Sequence, residues 1–186
     1  GLKDAGMPAI GKHFPGHGYV ALDSHSELQV DNRDFETVMQ TDMLPFRYLF
    51  RNGMQAVMPA HVLFPRIDSR PAGFSPFWLR EVLRKQMGFS GVIVSDDLSM
   101  AAAMSAGDVL SRAESAFDAG CDAVLVCNDR EAAVSVLDFL PTALLRMPKV
   151  SLSYLRPAFD FPWRFNELQL QEDHAYAVHI AEKISC

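Results

Sequence analysis

The sequence is short of cysteine, of basic residues and of long apolar runs, and each shortage argues against a class of protein. The three cysteines show no CxxC spacing, which indicates reduced thiols in a cytosol, with Cys121 and Cys127 packed as small apolar side chains. The 17 Lys and Arg residues are outnumbered by 23 Asp and Glu, so a nucleic-acid partner is not expected. No apolar run approaches the roughly 20 residues of a membrane span, and no signal peptide opens the chain. We therefore expect no membrane partner and a cytoplasmic location.

The chain does contain short apolar runs that alternate with amphipathic stretches, which is typical of βα units around a parallel sheet. Strands are predicted at residues 8–11, 55–59, 91–95 and 123–126. Helices are predicted at residues 34–52, 75–88, 108–119 and 130–140, and a weaker one at 172–183. Asp42 is expected to cap a second helix inside the first of these ranges, Ser75 to cap the next, and Pro141 to end the fourth.

Four βα units amount to half of a (β/α)₈ TIM barrel, which typically needs about 250 residues. A flavodoxin-like open sheet is the alternative. The long polar loops after the first two strands favour the catalytic face of a barrel. We predict an α/β fold in which residues 1–140 form half of a TIM barrel, and residues 141–186 an extension that packs on or beside it.

Polar residues with useful chemistry follow three of the four predicted strands. Lys12 and His13 follow the first strand, His61 the second, and Asp96 and Asp97 the third. Because ligands bind at the carboxyl ends of parallel strands, these residues are expected to meet around one pocket. Asp96, nearer the strand end, is the candidate catalytic carboxylate, whereas Asp97 is expected to cap the next helical turn. Lys12, His13 and His61 are the candidate substrate-binding residues.

The loop between the first two strands carries further candidates. His17 lies in a stretch rich in glycine and proline, which is compatible with a surface role and with a role in the site. Asp23 and His25 share a face if the chain is extended there, so that the carboxylate can orient the ring and raise its pKa. That arrangement suits a general acid or base, although a solvated contact is the commoner explanation for such a pair alone.

A metal site is the other interpretation of these residues. The six listed next would offer nitrogen and oxygen ligands to zinc in a barrel hydrolase: His13, His17, Asp23, His25, His61 and Asp96. The sequence has no HxH at a strand end, no HExxH helix and no GxxxxGK[ST] phosphate loop. We therefore predict no metal and no cofactor.

Taken together, the motifs resemble one known family. Lys12–Gly18 (KHFPGHG), the DSH triplet that starts at Asp23, and the SDDLSM run around Asp96 are similar to the signature of bacterial family 3 β-N-acetylglucosaminidases of the NagZ type. Residues 58–62, 71–75 and 88–94 agree in order, and the similarity covers about residues 1–130.

The resemblance implies a role for each candidate. Asp96 would be the nucleophile of a retaining glycosidase, and His25, tuned by Asp23, would be its acid and base. Lys12 and His13 would bind the sugar hydroxyls. The implied reaction is metal-free hydrolysis of terminal β-linked N-acetylglucosamine, in particular from muropeptides in peptidoglycan recycling, so the expected partner is a small carbohydrate.

The resemblance also implies that this chain supplies the C-terminal four βα units of the barrel. The N-terminal half would then lie on another chain, be missing from the structure, or have been removed by truncation. A non-catalytic half-barrel that binds sugar or assembles with a partner is the runner-up, and a zinc hydrolase comes third.

Overall fold

The computed structural model describes residues 2, 6–20, 28–143, 152–157, 175–176 and 179, and its centre is a four-stranded parallel sheet. The strands of this sheet are Ile10–Phe14 (β1), Ala56–Pro59 (β3), Val92–Asp97 (β5) and Ala123–Leu125 (β6). A second, two-stranded parallel sheet joins Gln29–Val30 (β2) to Val62–Leu63 (β4). The helices are Phe35–Gln40 (α1), Met43–Arg51 (α2), a π-type helix Phe77–Gln86 (π1), Val109–Ala119 (α3) and Arg130–Ala143 (α4). Short 3₁₀ helices lie at Ala72–Phe74, Ala101–Ala106 and Leu152–Leu155.

The order of the strands decides between the two predicted fold types. Along the main sheet the order is β1-β3-β5-β6, and each strand pairs in parallel with its neighbour. Successive βα units therefore add to the same side of the sheet, as they do in a TIM barrel. A flavodoxin-like sheet reverses direction at a switch point, and the described strands contain no such reversal.

All four predicted strands are present, but two of them extend further than expected. β1 runs to Phe14 and β5 to Asp97. Lys12, His13 and Asp96 are therefore strand residues, and the prediction that they follow the strands is wrong by a few positions. Backbone pairing with the neighbouring strands carries these polar residues into the sheet, although their side chains carry no strand signal of their own.

The core beneath the carboxyl end of the sheet is aromatic. Trp78 is fully buried, and its ring lies 5.2–6.2 Å from four phenylalanine rings. These rings belong to Phe14, Phe35, Phe64 and Phe77. The predicted cap of π1 is confirmed, because the Ser75 hydroxyl accepts a hydrogen bond from the Trp78 amide at 3.1 Å. This cluster fixes the end of β1, from which the loop with the candidate residues departs.

Three local predictions are wrong. α4 continues through Pro141 to Ala143, because a proline in the last turn forfeits few backbone hydrogen bonds. Cys121 is buried as predicted, but Cys127 is exposed, since β6 ends before it. Asp42 precedes α2 but forms no capping bond, because its carboxylate binds Arg33 instead.

The end of the chain is described only in part. The predicted helix at residues 172–183 lies largely outside the described residues, and the domain division at residue 140 stays a prediction. Leu155 packs against the apolar residues Ala56, Val92 and Val94 at the start of the sheet. In the described part of the chain, no helix has the length and apolar character needed to cross a membrane.

Candidate active site

Two of the candidate residues lie where a strand carries one extra residue. On β1 the register passes from Lys12 to Phe14 while β3 advances by one residue, which leaves His13 unmatched. On β5 the register passes from Val94 to Asp97, an advance of three residues, while β6 advances by two residues, from Ala123 to Leu125. Such bulges bend a strand and change the direction of its side chains, and they are frequent beside active sites. They bring His13 and Asp96 to the same end of the sheet.

Asp96 and His13 face each other at this end of the sheet. The Asp96 Oδ2 atom lies 3.7 Å from His13 Nε2, and the side chains are 15% and 28% exposed. The other carboxylate oxygen, Oδ1, accepts a hydrogen bond from the Asp97 amide at 2.9 Å. Asp96 is thus held through Oδ1 by the amide of the next residue, while Oδ2 faces His13. A carboxylate in this state can act as a nucleophile towards a bound molecule.

His61 lies beneath this pair and is almost fully buried, with 1% of its surface exposed. Its ring stacks on Phe74 at a centroid distance of 4.9 Å and an angle of 19°. Neither ring nitrogen has a hydrogen-bond partner among the described residues. Burial lowers the pKa of His61 below its usual 6.5, although the charge of Asp96 opposes the shift. A neutral imidazole is therefore placed beside the candidate nucleophile.

Asp97 differs from Asp96 in that its oxygens are occupied. They accept hydrogen bonds from the Ser99 amide at 2.9 Å, the Ser99 hydroxyl at 2.6 Å and the Cys127 amide at 2.9 Å. Burial raises the pKa of Asp97, but these hydrogen bonds outweigh burial and leave the pKa below its usual 3.8. Asp97 thus binds the turn that follows it, as predicted. It also links the ends of β5 and β6, which the sequence did not predict.

Ser95 is a supporting residue that sequence reasoning missed. It is fully buried, and its hydroxyl accepts a hydrogen bond from the Leu125 amide at 3.0 Å across the bulge in β5. The Ser95 hydroxyl thereby replaces a backbone carbonyl as acceptor in the hydrogen-bond ladder between β5 and β6. A serine at the end of an apolar run was the available signal, but only the register shows its role.

The remaining candidates are less closely tied to Asp96. Lys12 is exposed and forms no ion pair with a described residue, so its role towards a substrate stays a prediction. The His17 ring lies 5.8 Å from the His13 ring, and its Nε2 atom is buried without a described partner. Asp23 and His25 fall outside the described residues. Among the described residues, no group of three or more His, Cys, Asp or Glu side chains is arranged to hold a metal ion.

The fold and the site together define an α/β-barrel protein whose functional groups lie at the carboxyl ends of its strands. The glycosyl hydrolase family 3 N-terminal domain model matches residues 1–155. The chain therefore belongs to glycosyl hydrolase family 3. The predicted family and the TIM-barrel fold class are thereby confirmed.

Several known proteins are similar to this chain. The beta-hexosaminidase of Methylobacillus flagellatus is 57% identical over 137 residues, which cover 74% of this chain and 39% of that protein. The beta-hexosaminidase of Bordetella avium is 44% identical over 187 residues, which cover 99% of this chain and 52% of that protein. The crystal structure of NagZ from Neisseria gonorrhoeae in complex with N-trifluoroacetyl-D-glucosamine has a TM-score of 0.80 and 36% identity, over 100% of this chain and 52% of that chain. The chain thus spans 39–52% of the length of these relatives.

Proposed function

We propose that this chain is the catalytic half of a retaining glycoside hydrolase that releases terminal β-linked N-acetylglucosamine. One observation carries the proposal: the partly exposed Asp96 carboxylate stands at the carboxyl end of β5, with Oδ2 facing His13, and it lies beside His61. In a retaining mechanism such a carboxylate attacks the anomeric carbon and the aglycone oxygen leaves. The covalent glycosyl-enzyme is then hydrolysed by water. The names of the similar proteins support this reaction class.

The second catalytic group is proposed to be His25, tuned by Asp23. A retaining glycosidase needs one group that protonates the leaving oxygen and later removes a proton from water. Within the described residues, the carboxylates at the ends of the main-sheet strands are Asp96 and Asp97, and Asp97 is occupied by three hydrogen bonds. This occupancy favours a proton donor from elsewhere, and the DSH triplet offers one.

Sugar binding is proposed for Lys12, His13 and His61. Because the pKa of His61 is lowered, its ring is neutral at pH 7 and can donate from one nitrogen and accept at the other. A sugar hydroxyl and an acetamido group are partners of that kind, and they would reach the buried His61 nitrogens only after neighbouring side chains move aside. By the family resemblance we propose a muropeptide fragment as the substrate and the cytoplasm as the location. The free thiols of Cys121 and Cys127 suit a reducing compartment.

The nucleophile assignment is tested with Asp96→Ala in the full-length protein. We expect turnover of 4-nitrophenyl β-N-acetylglucosaminide to fall by at least about a thousandfold, since the proposed nucleophile is removed. Asp138→Ala, which removes an exposed carboxylate on α4, is the matched control and should retain activity. Wild-type turnover in Asp96→Ala would refute the assignment. Sugar binding by the wild-type protein without hydrolysis would instead favour the non-catalytic module.

The role of His25 is tested by the dependence of the rate on the leaving group. An activated aryl leaving group departs without a proton, whereas a sugar or alkyl alcohol does not. We expect His25→Ala to slow a disaccharide substrate by at least about a hundredfold more than a dinitrophenyl glycoside. Equal losses on both substrates would argue against His25 as the acid.

A further inference from the structure

His61 is held in place by the short 3₁₀ helix Ala72–Phe74. The Phe74 ring stacks on the His61 ring, with a centroid distance of 4.9 Å and an interplanar angle of 19°. Gly73 approaches the same ring, because a Cβ at residue 73 would lie 3.2 Å from His61 Nδ1 and 3.5 Å from His61 Cε1. Two consecutive residues of one turn therefore contact one buried imidazole.

This turn is attached to the chain on both sides of His61. The Gly73 amide donates a hydrogen bond to the Ala60 carbonyl at 2.9 Å, and Ala60 immediately precedes His61. Pro71, at the start of the turn, pairs with Leu63 in an isolated antiparallel bridge, and Leu63 lies two residues after His61. The turn and residues 60–63 therefore form one connected unit around the imidazole.

The end of β5 acts on the same ring. Burial, which is the larger effect, lowers the pKa of His61, and the charges and backbone groups of Asp96 and Asp97 oppose that shift. Cys121 is a further titratable group packed against the turn, with its Sγ atom 4.0 Å from the Gly73 carbonyl oxygen. Burial raises the pKa of the Cys121 thiol, so it stays neutral. The two aspartates of β5 are thus the charges that act on His61.

An open space beside Phe74 makes the stacked ring important. A cavity of about 360 Å³ borders Phe74 and is lined also by Leu63, Pro71 and Ser105. The Phe74 side chain is 3% exposed and that of His61 is 1% exposed. Phe74 therefore contacts the cavity and the imidazole at the same time. A smaller side chain at this position would extend the cavity towards His61, whose ring can then turn away from β5.

We propose that Phe74 and Gly73 are positioning residues that hold the His61 ring against the end of β5 that carries Asp96. The stacked ring fixes the plane of the imidazole, and the missing side chain at Gly73 lets the turn come close enough to form the stack. The inference rests on the proposed function, in which His61 binds the sugar. The position of His61 then sets where the sugar lies relative to Asp96, and a displacement of about 1 Å can cost a hundredfold in rate.

The test compares Phe74→Leu with Gly73→Ala in the full-length protein. Gly73→Ala displaces the His61 ring by only a few tenths of an ångström, so it remains informative if Phe74→Leu folds poorly. Phe89→Leu is the matched control, because Phe89 is 4% exposed and its ring lies 4.5 Å from that of Phe50. Phe89 precedes β5, at the end of the strand away from the site. Turnover of 4-nitrophenyl β-N-acetylglucosaminide is measured against pH, and the titration of His61 is followed by nuclear magnetic resonance.

A positioning role predicts a loss of rate that is accompanied by a change at His61. Phe74→Leu should lower kcat by about tenfold or more and Gly73→Ala by about threefold, with Phe89→Leu within about twofold of wild type. In Phe74→Leu the imidazole is less buried, so the pKa of His61 should rise towards its usual 6.5. A protonated ring cannot accept a hydrogen bond, so the loss in Phe74→Leu should be about threefold larger at about pH 6 than at about pH 8.

Three results would overturn the positioning role and leave the glycosidase proposal in place. The first is an unchanged kcat in both Phe74→Leu and Gly73→Ala. The second is an equal loss in Phe89→Leu, and the third is a loss in Phe74→Leu without any change in the titration of His61, since both would assign the effect to packing alone. A wild-type protein that does not hydrolyse the substrate would overturn the proposed function and this inference with it.

Discussion

Replacement of Asp97 separates the structural aspartate from the catalytic one beside it. The change Asp97→Ala removes the acceptors for the Ser99 amide, the Ser99 hydroxyl and the Cys127 amide, whereas Asp97→Asn keeps an oxygen that can accept from both amides. Cys127 is 30 residues away in sequence, so its hydrogen bond joins β5 to β6. Asp96 immediately precedes this junction, so we expect the direction of its side chain to depend on it.

The magnitude follows from the number and exposure of these hydrogen bonds. A hydrogen bond to a charged group contributes about 1.5–3 kcal/mol. Ser99 is only partly buried and Cys127 is exposed, so water replaces part of each lost bond. We therefore expect Asp97→Ala to lower the free energy of unfolding by about 2–4 kcal/mol and Asp97→Asn by about 1 kcal/mol. Because a displacement of about 1 Å can cost a hundredfold in rate, kcat of Asp97→Ala should fall by roughly that factor.

The pH dependence has a definite sign. The pKa of Asp97 is lower in the folded protein than its usual 3.8, so the folded state favours the carboxylate. The stabilisation is complete above the unfolded pKa and is lost as the pH falls through the folded pKa. The difference in stability between wild type and Asp97→Asn should therefore shrink as the pH is lowered below about 4.

Urea unfolding of the full-length protein at pH 7 and at acidic pH measures both effects. Ser105→Ala, at an exposed serine in the 3₁₀ helix, is the control and should change stability by less than about 0.5–1 kcal/mol. If Asp97→Ala and Asp97→Asn cost the same, the hydrogen bonds are not the source of the stability. If kcat is unchanged in both, the junction does not direct Asp96.

Two further predictions concern the framework. Arg84 donates to the Asp122 carboxylate, which is 2% exposed. Burial raises the pKa of Asp122, although hydrogen bonds from the Ile93 amide and Arg84 oppose the shift. Arg84→Met should therefore lower the free energy of unfolding by about 3–5 kcal/mol, and Asp122→Asn by only about 1–2 kcal/mol. Equal urea midpoints for the two variants would contradict this order. Ser75→Ala removes the cap of π1 and should lower the free energy of unfolding by about 1–2 kcal/mol in a urea titration. Ser69→Ala, at an exposed serine, is the control and should leave stability unchanged. A loss in Ser75→Ala as small as that of the control would contradict the capping role.

Local patterns in the chain were sufficient for the strands of the main sheet and for the chemistry of the candidates, but they did not predict the β2–β4 sheet. Apolar runs predicted all four strands of the main sheet, and the polar residues at the strand ends predicted where His13, His61 and Asp96 would meet. These predictions succeed because hydrophobic periodicity depends on near neighbours, and parallel strands place their carboxyl ends at one edge.

Tertiary structure alone decided how these residues are arranged. The bulges that direct His13 and Asp96 exist only through pairing with β3 and β6, and the hydrogen bond from Cys127 to Asp97 spans a distance in sequence that no local pattern encodes. The same holds for Arg33, which appears in sequence as one more scattered charge. Its partners are known only once the chain has folded, because the energy of a buried ion pair depends on the geometry of all its members.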